Sequence, residues 1–435
     1  IIKSAIEYNE KEEPLFNVLE NYYNGRHPIL NRKKIAKILK DNKIIVNHAE
    51  YITDLNTGYL LGDPVSYTTE DLTNAEALDP ILQEYREQDI SDLDHEIGTD
   101  ASVFGCSYEY VYSDEESNPR SAKIDPRNCV IVYDKSVAHK KLFAIMYGEK
   151  SKVGSNYGWK DVVVVDNNRI YNYSEDLKTV TSTDDHAFLQ VPLVKYRNNA
   201  RSRSDFYSVT TLIDAYNTLQ SDRVNDKEQA VEAILILFGF RLTEDQKSDV
   251  KLNKTLFAPP KIEGTAAEYL QKTMQEADVD ILRQKLSEDI HKISKTPNFS
   301  DESFAGNVSG VAMKFKLMCF DQNIKNKKRY YVKSLKERFK LYTNFLKIRS
   351  SIVEIEMYNL RIVFNEALPQ NDLETSQTLS NVSELIDDET ALSQLSFIDN
   401  PKEVMEKKKI ERAEAVTLMQ SQFPADAPVT DESAN

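Results

Sequence analysis

The sequence predicts an α+β chain that is mostly helical, with one block of antiparallel strands set between long helices. Three observations predict it. Glycine is scarce, twelve in 435 residues, and 29% of residues are charged, which favours helices over a loop-rich architecture. Apolar residues recur every three or four positions through three long stretches, residues 204–232, 277–295 and 309–347. Between about Ser102 and Tyr196 the period shortens to two, with turn residues between the runs.

Residues 1–40 read as polar helix. "IIVNHAEYITDLNTGYLLGDPVSY", from Ile44 to Tyr67, begins amphipathic, and Gly58 with Gly62-Asp63-Pro64 marks a loop or tight turn. A helix is expected from Asn74 to Leu93. The strand block includes "KLFAIMYG", "DVVVVDNNRIYNYSE" and "VPLVKY". At Ser204 the helical period returns, with Ser204 as N-cap and Asp205 favouring the positive end of the dipole. Phe206, Val209, Ile213, Tyr216 and Gln220 form its stripe, widened by Leu212 and Leu219. Ser221, Asp222, Asn225 and Asp226 dilute that face. Such a helix packs beside copies of itself or lines a solvent-filled surface.

"AILILFGF" and "KTLFAPPKIEG" are strand candidates in a small β insertion, roughly Ala233 to Gln271. The helix from Ala277 to Lys295 carries Val279, Leu282, Leu286, Ile290 and Ile293 on one face, and Pro297 ends it. "IVEIEMYNLRIVFNEALP" reads as strand that could return to the earlier sheet. Two helices broken near Asp399-Asn400-Pro401 follow. The last stretch, "PADAPVTDESAN", has the composition of a disordered tail.

Net charge is −15, which argues against a chain that grips nucleic acid tightly, since grip needs many Lys and Arg on phosphates. Charge is also segregated. Between Val311 and Arg349 there are twelve Lys or Arg against two acids; the last 86 residues hold seventeen acids and six bases. Either a basic solvated helix faces an acidic neighbour, or the segregation marks subunit contacts. Cys106, Cys129 and Cys319 are odd in number and lack metal-ligand spacing, which fits a reducing compartment. His27, His48, His95, His139, His186 and His291 are scattered and read as surface or polar-core residues. The longest apolar runs fall well short of the ~20 residues that span a bilayer, so no membrane partner is expected. The N-terminus turns acidic at once, unlike a signal peptide.

"NFSDESFAGNVSG", from Asn298 to Gly310, is a flexible loop between two helical stretches. It is not a phosphate cradle: Gly306 and Gly310 stand four apart and Lys314 comes too late for a P-loop. G-x-G-x-x-G and G-x-S-x-G are absent. Asp184-Asp185 and Asp387-Asp388-Glu389 lack the context of a two-metal site. The expectation is therefore no enzyme, no catalytic residue, no metal and no cofactor.

Five segments in order carry a specific resemblance: "YYNGRHPIL", "NKIIVNHAEYITDLNTGYLLGDPVSY", "LIDAYNTLQSDRVNDKE", "SDESFAGNVSGVAMKFKL" and "SELIDDETALSQLSFIDNPKE". Over roughly Asn21 to Glu414 they resemble the portal proteins of tailed bacteriophages, the group typified by a long-tailed Bacillus phage. The resemblance is least clear between Lys135 and Asp205. It implies a portal fold and a ring, usually of about twelve copies, at one capsid vertex, through which double-stranded DNA is packaged and ejected. It implies a wing (1–203, with 350–375 returning to it), a stem helix (204–232), a clip (233–273) and a second stem helix (274–297). A tunnel loop (298–310), a long basic wing helix (311–349) and a helical crown (376–420) follow, before the tail (421–435).

By this resemblance Asn298, Ser300, Asp301, Glu302, Ser303, Phe304, Asn307 and Val308 face DNA. Leu256, Phe257, Ala258, Pro259 and Pro260 of the clip meet partners. The partners are further copies of the chain, the terminase motor, major capsid and scaffolding proteins, and a head-completion adaptor. The place is the virion, after assembly in the host bacterial cytoplasm. Competing readings are a Mg²⁺-dependent DNA-processing enzyme and a helical scaffold with no DNA role.

Overall fold

The computed structural model describes residues 1–33, 41–69, 77–153, 156–231, 234–238, 266–270, 276–299, 310–349 and 358–364, with short helical pieces between 377 and 409. Two compact units divide the chain, Ile1–Ala367 and Leu368–Asn435. In the second, residues 379–381 and 407–409 are helical.

The first unit opens with α1 (Ile2–Asn9) and α2 (Glu13–Tyr23). The first buries Ile6, and the second buries Phe16, Leu19 and Tyr22 at three-residue spacing. Next is α3 (His48–Leu61), whose Asn47 cap accepts the Glu50 amide at 3.3 Å. Gly58 lies inside this helix and marks no loop; only Gly62 ends it. Beyond it, β1 (Ser66–Thr69) leads to α4 (Asp79–Glu87) and α5 (Ile90–Phe104). The single helix expected over 74–93 is thus two. Asp89 takes a left-handed conformation, φ 49°, and breaks the run. Gln88 beside it binds the Ser121 amide at 2.9 Å, so tertiary contacts hold the break.

The strand block starts after Gly105, four residues later than expected, because α5 continues to Phe104. Gly105 has φ 87°, and a Cβ there would lie 2.2 Å from the Ser202 carbonyl oxygen, so only glycine fits. The strands are β2 (Cys106–Ser113), β3 (Pro119–Ile124), β4 (Cys129–Tyr133), β5 (Lys141–Met146), β6 (Lys150–Val153), β7 (Asn156–Trp159), β8 (Val162–Val165), β9 (Arg169–Tyr173), β10 (Val180–Asp185) and β11 (Leu193–Arg197). All pair antiparallel: β11-β2-β3, β10-β9-β8-β5-β4 and the hairpin β6-β7. One core joins α2, α3 and α5 to β2, β4, β5 and β11. A second packs Ile6 of α1 on Ile145, Tyr147, Trp159, Val162 and Val164.

Three long helices follow: α6 (Thr210–Val231), α7 (Glu276–Ser294) and α8 (Gly310–Ile348). A 3-10 turn over Tyr207–Val209 precedes α6, so Ser204 is not its N-cap. Asp205 does not serve the helix dipole either. It accepts from Ser102 Oγ at 2.5 Å and from Asn198 Nδ2 at 2.8 Å, and pairs with Lys327. Phe206, Val209, Ile213 and Tyr216 are buried, as the stripe predicts.

In α7 the expected face splits. Ile290 is fully buried and Leu286 packs on the core, but Leu282 and Ile293 stay about half exposed. In α8, Leu317, Phe320, Ile324, Tyr331, Leu335, Tyr342 and Phe345 form one continuous buried stripe. Between α6 and α7, β12 (Ile234–Phe238) pairs with β13 (Ala266–Leu270). The partner strand is thus "AAEYL"; "KTLFAPPKIEG" lies outside the described residues. Finally β14 (Leu360–Val363) pairs with β1, not with the larger sheets.

Candidate functional site

The loop that carries the sequence-predicted contact residues leaves α7 and enters α8. Of those residues only Asn298 is described, and it is half-buried. Ser300, Asp301, Glu302, Ser303, Phe304, Asn307 and Val308 lie outside the described residues, as do Leu256, Phe257, Ala258, Pro259 and Pro260. The described site is therefore the frame from which the loop departs.

On the incoming side, α7 stops before Pro297 is reached. Lys295 adopts φ 61°, and the Thr296 amide donates to the His291 carbonyl at 3.1 Å. That bond closes the helix in a Schellman arrangement. His291 Nδ1 reaches the Thr296 carbonyl at 3.1 Å; a carbonyl only accepts, so this nitrogen carries the proton. Tyr51 of α3 then takes over. Its hydroxyl donates to the Pro297 carbonyl at 2.9 Å and accepts the Phe299 amide at 3.3 Å. Asn56, fully buried on the same helix, donates to Thr296 Oγ1 at 3.1 Å.

On the outgoing side, Asn323 of α8 donates to Asn56 Oδ1 at 3.4 Å, and Tyr59 donates to Asp321 at 2.9 Å. These supports have no signature in the sequence. Asn56 and Thr296 are 240 residues apart, and neither belongs to a recognisable motif.

Histidines that look scattered in the sequence meet here. His48 and His291 stack edge to face with centroids 5.6 Å apart, and Tyr216 meets His48 at 4.9 Å. His27 is buried beside them, held by Asn47 at 3.2 Å and Asn217 at 3.4 Å. Burial pushes His48 down to about 4, with His291 and His27 adding repulsion. Burial lowers His291 and His27 too. Among the described residues His48 Nε2 has no hydrogen-bond partner, which suits a neutral ring. Among the described residues no group of three His, Cys, Asp or Glu is placed to hold a metal ion. Cys106 and Cys129 are buried thiols, and Cys319 is exposed.

The polar residues of α6 also find a use. Asn217 Oδ1 accepts the Val46 amide at 2.8 Å, Ser221 Oγ accepts Ile44 at 2.9 Å, and Asn225 Oδ1 accepts Asn42 at 2.7 Å. Four helical residues rise ~6.0 Å and two extended residues ~6.6 Å. One helix face therefore matches alternate amides of an extended segment. These residues do not dilute the stripe for solvent; they bind backbone.

The base of α8 is held by ions. Arg338 is fully buried and grips Asp94 at 2.7 and 3.0 Å, with Tyr67 Oη at 2.9 Å and Glu109 at 3.5 Å. Burial raises Asp94, and Arg338 opposes the rise. Lys327 is buried against Asp205.

This frame joins the end of α7 to a 39-residue helix in a chain that also carries a block of antiparallel strands. The family model "Phage portal protein, SPP1 Gp6-like" matches residues 2–418. The chain belongs to this family. The portal protein of Bacillus phage SPP1 is 22% identical over 372 residues, covering 80% of this chain and 72% of that protein. The portal protein of Clostridium phage phiCD119 is 24% identical over 330 residues, covering 68% and 71%. As in the family at large, the portal role is structural. Among the described residues no helix is long and apolar enough to cross a membrane.

Proposed function

We propose that the chain assembles with copies of itself into a ring at one vertex of the phage capsid, and that double-stranded DNA enters and leaves through its bore. The 298–310 loop faces the DNA. The residues around 256–260 dock first a separate terminase motor and later the head-completion adaptor. Capsid and scaffolding proteins meet the outside of the ring.

The observation that carries this reading is the family match across 2–418, joined to the chemistry of the loop. No Lys or Arg lies between Asn298 and Gly310, while Asp301 and Glu302 add repulsion. Neutralising 6–10 phosphates changes DNA affinity by ~10³–10⁵ over a modest change of salt. One lasting lysine contact per subunit in a ring would reach that regime and act as friction. Asn and Ser side chains make contacts that exchange quickly.

Exposed apolar residues support contact between copies: Ile281 and Leu282 on α7, Phe315 and Met318 on α8. Basic residues of α8 divide in two. Lys327 and Arg338 work inside the subunit, whereas Lys325, Arg329 and Lys333 face outward and are placed to meet an acidic neighbour. Native mass spectrometry and electron microscopy of the purified chain test the proposal. A closed ring with an open bore is expected. Monomers or solid particles at micromolar concentration would overturn it.

A further inference from the structure

We propose that α3 positions the 298–310 loop, and that Asn56 is the residue through which it does so. Asn56 is fully buried, and its amide group is used on three sides. Its Nδ2 donates to the Ile52 carbonyl at 2.8 Å, which fixes the side chain to its own helix. The same nitrogen donates to Thr296 Oγ1 at 3.1 Å, on the incoming end of the loop. Its Oδ1 accepts from Asn323 at 3.4 Å, on the outgoing helix. One planar amide, roughly 2 Å between its two polar atoms, thus ties the end of α7 to the shaft of α8 across the 298–310 loop.

Two tyrosines on α3 flank this tie. Tyr51 holds the Pro297 carbonyl and the Phe299 amide, so it acts on the incoming end alone. Tyr59 donates to Asp321 and stacks edge to face on Phe320 at 4.9 Å, and so holds the shaft of α8. Tyr51, Asn56 and Tyr59 are spaced five and three residues apart, and bring the C-terminal end of α7 and the α8 shaft around Phe320, Asp321 and Asn323 to one helix. Neither α7 nor α8 makes this junction by itself. A buried amide satisfied on both its atoms costs the full desolvation of each group when a partner is removed. The tie therefore fixes the C-terminal end of α7 against the shaft of α8, the helix that receives the loop. If the loop faces DNA as proposed above, α3 sets where that loop begins and ends relative to the bore.

Hydrogen exchange read by mass spectrometry on the assembled full chain tests the tie without DNA, so it reports even if the proposed DNA role is wrong. Thr296→Val removes the hydroxyl and keeps the shape; Thr296→Ser keeps the hydroxyl. The valine variant should exchange the amides of residues 296–299 about fivefold faster, the equivalent of one lost buried hydrogen bond. The serine variant should match the wild type. Tyr51→Phe should act on the same amides, Tyr59→Phe on the turns of α8 around Asp321 and not on those amides, and Asn56→Ala on both. Ring mass and exchange in β2 and β3 should not change. Equal exchange in the valine and serine variants would overturn the proposal. So would an Asn56→Ala effect confined to one side, or one spread evenly through the sheets.

Discussion

The helices α6 and α8 both bury polar groups, and they do it by opposite means. Along α6 the buried groups are neutral. Asn217, Ser221 and Asn225 each bind one amide of an extended segment, and the load is spread over three bonds. Along α8, beside the neutral Ser334 and Thr343, the largest buried polar groups are charged. Arg338 and Lys327 each face buried carboxylates, and the load sits on two joints. A ladder of neutral bonds reads backbone spacing, whatever side chains the partner carries. An ionic joint reads one carboxylate, and its loss strands that charge in a dry interior. The contrast separates a graded seam from two brittle rivets, and variants can measure both.

The largest effect should come from Arg338→Met. The variant keeps volume but leaves Asp94 and Glu109 buried together without a cation. A loss of about 3–5 kcal/mol is expected, read as the urea midpoint at fixed protein concentration. Adding Asp94→Asn should recover part of it, because one stranded charge is gone. A single variant that unfolds at the wild-type midpoint would show that the joint carries no load.

Next comes His48, which lies between the two helices' neighbours, against His291 of α7 and Tyr216 of α6. Its folded value is about 4, below the ordinary 6.5. Between those values the unfolded chain binds more protons than the folded one. Stability from this group is therefore full above pH 6.5, falls as the pH drops towards 4, and then levels off. The total is about 3 kcal/mol at 1.36 kcal/mol per unit. His48→Phe keeps a ring against Tyr216 and loses no bond through Nε2, which has no partner. Stability of this variant should depend less steeply on pH between 6.5 and 4. The same slope in both proteins would place the acid sensitivity elsewhere.

How much of this could be read in the sequence follows from the physics of each part. The ends of α8 fall within a residue of the expected Ser309–Lys347, because an unbroken three-and-four pattern over 39 residues leaves one solution. The strand block was legible for a similar reason. The break at Asp89 was not, since its left-handed turn is held by Gln88 contacts to a distant strand. β13 was missed because "AAEYL" has no strand pattern of its own and depends on its pairing with β12. At the candidate site, the loop's composition and its place between two helices were legible. Its supports were not. Asn56, Thr296 and Tyr51 are ordinary helix and turn residues until the fold joins them.

A smaller effect belongs to the α6 ladder. Asn217→Ala, Ser221→Ala and Asn225→Ala should each cost about 1 kcal/mol, with faster exchange at Val46, Ile44 and Asn42 respectively. The register makes the test sharp: each substitution should act on its own amide and leave the other two within twofold. Equal release of all three amides would mean the extended segment detaches as a unit, so that the seam is as brittle as the rivets.

The smallest effect on stability should come from the outer face of α8, where Lys325, Arg329 and Lys333 are exposed while Lys327, on the opposite side of the helix, is buried. Exposed charges away from partners change stability by less than about 0.5 kcal/mol. Lys325→Glu, Arg329→Glu and Lys333→Glu together should thus leave the urea midpoint almost unmoved. Ring yield should fall, and fall further at low salt, where repulsion from an acidic neighbour is least screened. The pair of readouts separates the two classes of lysine on one helix. Lys327→Glu faces Asp205 and must lower the midpoint, whatever it does to the ring. If the triple variant instead loses stability and keeps its ring yield, the outer stripe serves the subunit's own fold. The contact between copies then lies on the apolar residues of α7 and α8 alone.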